Sequence, residues 1–259
     1  ELIHSFVPLM DRAVAAGGEG NTGDGLRMAW QLGADVADMA YIKGTFGKHP
    51  VDSTNIHTCL AVYEGAIAVD DDGKRFMNES MSYKKLGDEC LKLETGSCYQ
   101  IFDQGVFEAG DNDTPVFDFE RRLESGLLMQ AGSLEEVAEM LELPVDALLE
   151  TVRAYNESVD KGDDPLGRRN LVHHHGELRR IETAPYYVYP STTCVFGTYC
   201  GIRVTPETQV LDVFGEPIEG LYAAGETMGG FHGGAYMTGS ALGKAVVFGL
   251  IAARTVVAS

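Results

Sequence analysis

Three short patterns in this 259-residue chain have the composition to do chemistry. Asn21-Thr22-Gly23-Asp24-Gly25 is a polar, glycine-rich turn leading into Leu26-Arg27-Met28-Ala29-Trp30-Gln31-Leu32-Gly33, whose apolar residues recur at helical spacing. A turn of this kind offers unpaired backbone N–H groups and the positive end of a helix dipole to an anion or a polar cofactor. Ala223-Ala224-Gly225-Glu226 ends a strand expected over 220–224. It delivers a carboxylate at the carboxyl edge of a sheet, where open α/β folds bind ligands. Ser240-Ala241-Leu242-Gly243 opens a final helix expected over about 240–257, and its first N–H groups have no partners within the helix.

Other suggestive groupings have plainer readings. Asp70-Asp71-Asp72-Gly73 lies between two strand-like runs and reads as a hairpin turn, without the further ligand spacing of a calcium loop. Three consecutive side chains, His173-His174-His175, cannot all face one ion on a strand, so they read as a loop facing water. Gly229-Gly230-Phe231-His232-Gly233-Gly234 is glycine-rich but does not follow a strand as a dinucleotide fingerprint must. Cys59, Cys90, Cys98, Cys194 and Cys200 show no CxxC spacing, which argues against a zinc site or a disulfide framework. No metal site is expected. A formal charge of −19 argues against nucleic acid or an anionic membrane as partner.

The elements that would position these groups alternate. Residues 1–20 contain a helix-like stretch ending in Ala15-Ala16-Gly17-Gly18, and a hairpin spans 64–76. A short strand is expected over 99–103, with amphipathic helices over 133–141 and 145–159. Ser133 and Glu136 form a capping box for the first of these helices. Strands are expected over 186–189, 201–204, 209–212 and 220–224. No apolar run approaches the roughly 20 residues that span a bilayer. The longest, 245–258, is interrupted by Gly249 and Arg254 and reads as a buried helix. The chain opens on Glu1 with no initiator Met or signal peptide, and the cysteine usage suggests a reducing, cytoplasmic setting.

Taken in order, several segments resemble the FAD-dependent fumarate reductase and 3-ketosteroid dehydrogenase superfamily over its C-terminal two thirds. They are Asn21-Thr22-Gly23-Asp24-Gly25, Gly65-Ala66-Ile67 through Gly73-Lys74-Arg75-Phe76-Met77-Asn78-Glu79-Ser80, and Gly220-Leu221-Tyr222-Ala223-Ala224-Gly225-Glu226. Gly239-Ser240-Ala241-Leu242-Gly243 follows, and Asp164-Pro165-Leu166-Gly167-Arg168 and Pro185-Tyr186-Tyr187 add weaker matches. The resemblance implies an α/β fold with an α+β insertion. Residues 1–45 and 186–259 would belong to an FAD-binding, Rossmann-like domain, and 46–185 to a capping domain that closes over the flavin. It implies FAD as cofactor and an oxidoreductase acting on CH–CH groups of a small-molecule substrate. Glu226 would accept from ribityl hydroxyls, Ser240, Ala241 and Leu242 would face the flavin N1/O2 edge, and Asp24 would add a contact. The family's GxGxxG turn lies upstream of all these motifs. The resemblance therefore implies a pyrophosphate-holding segment elsewhere, upstream in the same polypeptide or in a separate chain, or else a chain that holds no FAD.

The fumarate-reducing branch has a proton-donating arginine where this chain has Tyr83, and a carboxylate-binding arginine where it has Tyr236. Gly197 is the nearest counterpart of that branch's substrate histidine. Loss of two cations makes a dianionic substrate a poor fit. Gly234-Ala235-Tyr236-Met237-Thr238-Gly239 is similar to the Tyr-x-Ser pair of Δ4-(5α) ketosteroid dehydrogenases, with Thr238 for Ser. That resemblance implies Tyr83 as proton donor or acceptor and Tyr236 with Thr238 polarising a ketone, while His232 is structural or supports the residues that touch the substrate. Two alternatives stand beside an enone or alkene reductase (or the reverse dehydrogenase). One is a reductase of a small unsaturated, urocanate-like acid served by Arg168, Arg179, Arg180 or Arg203. The other is a non-catalytic capping or assembly subunit.

Overall fold

The computed structural model describes residues 2–51, 58–172, 176–234 and 236–258, with only the backbone of Lys43. In chain order its elements begin with α1 (Leu2–Phe6), β1 (Val14–Ala15), α2 (Asp24–Gln31), β2 (Val36–Ala37), β3 (Ile42–Lys48), α3 (Ala61–Glu64) and β4 (Ile67–Val69). Then follow α4 (Tyr83–Lys92), β5 (Ser97–Asp103), α5 (Gln104–Phe107), α6 (Phe119–Glu124), β6 (Met129–Ala131), α7 (Leu134–Met140) and α8 (Val145–Lys161). The chain ends with β7 (Tyr186–Thr198), β8 (Gly201–Ile202), β9 (Gln209–Leu211), β10 (Pro217–Tyr222) and α9 (Ser240–Ala258). They divide into two compact units: Glu1–Asp11, Ala15–Gly44 and Val195–Ser259 form one, and Arg12–Val14 with Thr45–Cys194 the other.

The second unit is built on a sheet in which β5 pairs antiparallel with β4 and with β7, and β6 pairs antiparallel with β7. Side chains alternate across its two faces, as the two-residue period of a strand requires. Ile67, Ile101 and Val188 point to a core completed by Val137 of α7 and by Leu148, Val152 and Tyr155 of α8. Their neighbours Ala68, Phe102 and Tyr187 point the other way, into a core with Leu86 of α4, Val106 of α5 and Phe119 of α6. The Phe102 and Tyr187 rings stack 5.5 Å apart. The expected boundary at residue 185 moves, because Ser97 to Asp103 pair in register with Thr192 to Tyr186. Residues 186–194 therefore complete the inserted unit's own sheet rather than returning to the flanking unit, and the chain changes unit within β7. A moving lobe bounded at 185 would have to break that pairing.

The capping box at α7 is present with a shifted partner. Ser133 Oγ accepts from the Glu136 amide at 3.1 Å, but Glu136 Oε2 accepts from the amide of Gly132, one residue before the cap. The three-aspartate turn uses Asp70 Oδ1 to accept from the amides of Asp72 and Lys74. His173, His174 and His175 lie outside the described residues.

A buried charge cluster ties the motif around Glu79 to the motif around Asp164. Arg75 donates to both carboxylate oxygens of Glu79, at 2.8 and 2.6 Å, and to Asp164 at 2.6 Å. Arg168, with no exposed surface, lies 3.6 Å from Glu79 and donates to the carbonyls of Val62 and Ala66. Burial would raise the Asp164 carboxyl, but Arg75 and the Arg168 amide outweigh it and hold it below the usual carboxylate range.

The first unit is thinner. β2 pairs with β8, and β9 with β10, around a small core of Ala29, Ala34, Ile202, Val210 and Ala223. The expectation of a buried terminal helix is corrected here. α9 runs unbroken through Gly249 and Arg254, since one glycine costs a helix only about 1 kcal/mol. It is long and apolar enough to cross a bilayer by length and composition. Lys244 is its one buried residue among those described, and Leu242, Val246 and Val257 are exposed.

Removing one member of a buried ion cluster leaves the others unpaired. Arg168→Met should lower stability by about 3–5 kcal/mol, read as a shifted urea midpoint. A loss under about 1 kcal/mol, within reach of an exposed pair, would show that the cluster is not structural.

Candidate functional site

The first unit contains a cleft of ≈ 210 Å³ lined by Glu226, by Gly197 to Tyr199 at the end of β7, by Tyr236, and by Ala241 and Lys244 of α9. Backbone geometry sets its anionic corner. β10 ends at Tyr222, and Gly225–Thr227 forms a 3-10 turn that carries Glu226. Glu226 Oε1 accepts from the Thr198 amide at 3.0 Å and from Asn21 Nδ2 at 3.2 Å. This approach needs a residue without a side chain opposite, because a Cβ at Gly197 would lie 2.4 Å from Oε1. A histidine at that position would displace the carboxylate. The same turn is held from below by Gly201, where a Cβ would sit 2.2 Å from the Thr227 carbonyl oxygen.

Of the residues expected from the sequence, Glu226, Ala241 and Tyr236 line this cleft together. Ser240 and Leu242 belong to the same first turn of α9, although the Ser240 hydroxyl is spent on the Met237 carbonyl at 2.6 Å. Asp24 is not in the cleft lining but begins α2, whose Gly25 packs against Thr227: a Cβ there would be 3.2 Å from the Thr227 methyl. Gly23, at φ 78°, supplies the left-handed turn into that helix. Thr238 is exposed beside the cleft's Tyr236 in sequence, with Ala235 outside the described residues. Tyr83 is the first residue of α4 in the other unit, half-buried against the core beside Phe76 and Met81. Its neighbour Tyr63 donates to the Met81 carbonyl at 3.1 Å, and burial pushes the Tyr63 phenol well above its usual range.

Tyr236 is part of an aromatic wall. Its ring stacks on Tyr199 at 5.4 Å and 9°, and meets the edge of His232 at 5.2 Å. His232 also packs on Phe231, 4.8 Å away and nearly perpendicular. Such offset and edge-to-face pairs favour planar apolar surfaces. Sequence reasoning missed Tyr199, which reads as an ordinary strand residue, and Lys244, which reads as a solvated lysine. The signal for Lys244 was its position one turn into a mostly apolar helix.

The cleft fits a flavin by its donor set. Glu226 Oε2 carries no hydrogen bond among the described residues and is open to a hydroxyl donor. The amides of Ala241 and Leu242, at the positive end of a nineteen-residue helix, likewise have no acceptor among them. An acceptor for hydroxyls beside donors for an electron-rich ring edge is what an isoalloxazine with its ribityl chain requires.

Comparison with known proteins agrees. Residues 1–242 match the model of an FAD binding domain family. NADH:acrylate oxidoreductase of Vibrio harveyi is 31% identical over 233 residues, covering 90% of this chain and 22% of that protein. The open conformation of a flavocytochrome c3 fumarate reductase superposes with a TM-score of 0.74 at 28% identity, covering 97% of this chain and 42% of that one. The 3-ketosteroid Δ4-(5α)-dehydrogenase of Rhodococcus jostii RHA1, solved with 4-androstene-3,17-dione, gives 0.70 at 27% identity, covering 97% and 48%. The chain thus spans less than half the length of each of these three. It belongs to the FAD binding domain family that includes fumarate reductases and ketosteroid dehydrogenases, and its cofactor is FAD.

Proposed function

We propose that the protein to which this chain belongs is an FAD-dependent oxidoreductase that reduces a C=C bond next to a carbonyl, or dehydrogenates the corresponding CH–CH bond. Its substrate is an uncharged, ketosteroid-like enone. The observation that carries this reading is the cleft in which Glu226, the first turn of α9 and the Tyr199–Tyr236 stack meet. FAD, when bound, supplies the hydride transfer. Glu226 accepts from the ribityl hydroxyls, and the Ala241 and Leu242 amides face the ring edge where negative charge collects. Tyr236 with Thr238 donates to the ketone oxygen. Tyr83 exchanges the substrate proton, a role that rests on its sequence position.

The charge pattern favours this over the small-acid alternative. Among the described residues that line the cleft there is no arginine, and three of the four arginines considered for a carboxylate are already paired with acids. Arg168 serves two carbonyls and Glu79, Arg180 pairs with Asp160 and Glu182, and Arg203 pairs with Asp35. Arg179 donates to the Gly105 carbonyl at 3.3 Å. Of these four, Arg168, Arg180 and Arg203 would have to give up a carboxylate partner to bind a substrate acid.

The apolar outer face of α9 is the surface on which an FAD-binding segment with the GxGxxG turn would pack, upstream in the same polypeptide or as a separate chain. The burial of all five cysteines, none of them in a disulfide among the described residues, fits a reducing, cytoplasmic setting. Mass spectrometry of the native assembly with flavin extraction tests both points. An assembly lacking flavin would favour the non-catalytic subunit.

Gly197→Ala should push the Glu226 carboxylate off the Thr198 amide and weaken FAD binding by roughly tenfold, the scale of one lost charge-assisted hydrogen bond. Unchanged FAD affinity would remove Glu226 from the cofactor site. Tyr83→Phe should lower enone turnover by about 10²–10⁴ with normal FAD content, as expected for loss of a positioned acid or base. Tyr236→Phe should mainly raise KM, costing about 1–3 kcal/mol from an unpaired polar partner. Full activity with both tyrosines replaced would sink the enone assignment.

A further inference from the structure

α9 inverts the usual logic of an apolar helix. Its one buried side chain among the described residues is Lys244, while Leu242 and Val246 on neighbouring positions are mostly exposed. An ammonium withdrawn from water needs both a hydrogen-bond acceptor and countercharge. Both come from the segment that carries Glu226. Lys244 Nζ donates to the carbonyl of Met228, the residue that closes the Gly225–Thr227 turn, and lies 5.9 Å from the centre of the Phe231 ring. Glu226, Cys200 and Asp38 act on its charge, and the titratable His232 and Tyr236 line the same cleft. Lys244 and Glu226 also line the same cleft.

We infer that Lys244 is a positioning residue for the cofactor, whose ammonium ties the first turns of α9 to the Met228 carbonyl and so fixes the turn on which the Glu226 carboxylate stands. The inference rests on the FAD reading of this cleft. It explains why, among the described residues, the one enclosed position of a mostly apolar helix is a lysine. Burial holds the ammonium below the ordinary lysine value of 10.5, with Glu226 opposing the shift. Its charge is therefore lost, as pH rises, at a lower pH than that of a solvated lysine.

The test is the dissociation constant for FAD of the full-length protein, measured by flavin fluorescence between pH 7 and 10.5. Wild-type affinity should weaken along the alkaline arm. Lys244→Met should bind roughly tenfold more weakly at neutral pH, as for loss of a charged hydrogen bond, and show no extra alkaline step. The flavin's own alkaline titration is common to both proteins, so the difference between them is the signal. A variant that binds as tightly as wild type, or an identical pH profile in both, overturns the assignment. If Lys244→Met does not fold, Lys244→Gln keeps an N–H donor without the charge, and a wild-type alkaline step in it is equally fatal. A wild-type protein that binds no FAD at any pH overturns the cofactor reading and this role with it.

Discussion

The site depends on one close approach, that of the Glu226 carboxylate to a stretch of backbone with no side chain in its way. Gly197 leaves room for Oε1 to accept from the Thr198 amide, and the second oxygen remains open to the cleft. A carboxylate held by one oxygen is oriented, and its other oxygen keeps its full strength as an acceptor. The turn beneath it is equally constrained: Gly201 admits the Thr227 carbonyl, and Lys244 closes the far end at Met228. Two glycines and a buried lysine therefore act on one carboxylate. The absence of a side chain at Gly197 and the placement of Glu226 are the same structural fact.

The inserted unit solves a different problem with different means. Its sheet separates two apolar cores, and Arg75, Glu79, Asp164 and Arg168 are buried at the junction of hairpin, long helix and loop. Such a cluster contributes little net stability over an apolar replacement but is costly to break singly. Every carboxylate oxygen and most N–H groups in it are matched, which favours one arrangement of the three segments. This also removes Arg168 from any role in substrate binding.

Much of the fold was legible because local chemistry and tertiary structure agree. The Ser133 cap, the turn at Asp70 and the period of α8 are local signals that packing does not override. That Glu226 and the start of α9 come together was legible from a strand-end carboxylate followed by a helix N-terminus, and both line one cleft. Three features were not. β7 runs thirteen residues through Pro190, so it looks like a short strand in sequence. α9 is apolar yet exposed, which no hydrophobicity pattern distinguishes from a core helix. Lys244 is enclosed by contacts that are distant along the chain, so its burial is visible only in three dimensions.

The central claim is that FAD contacts from this chain gather at one corner, made by Glu226 and the first turn of α9. An experimental structure of the full-length protein with FAD bound tests it most directly. The account predicts ribityl hydroxyls within hydrogen-bond distance of Glu226 Oε2, and the flavin ring edge against the Ala241 and Leu242 amides. A flavin bound elsewhere, with these groups beyond the reach of a bridging water, would contradict it.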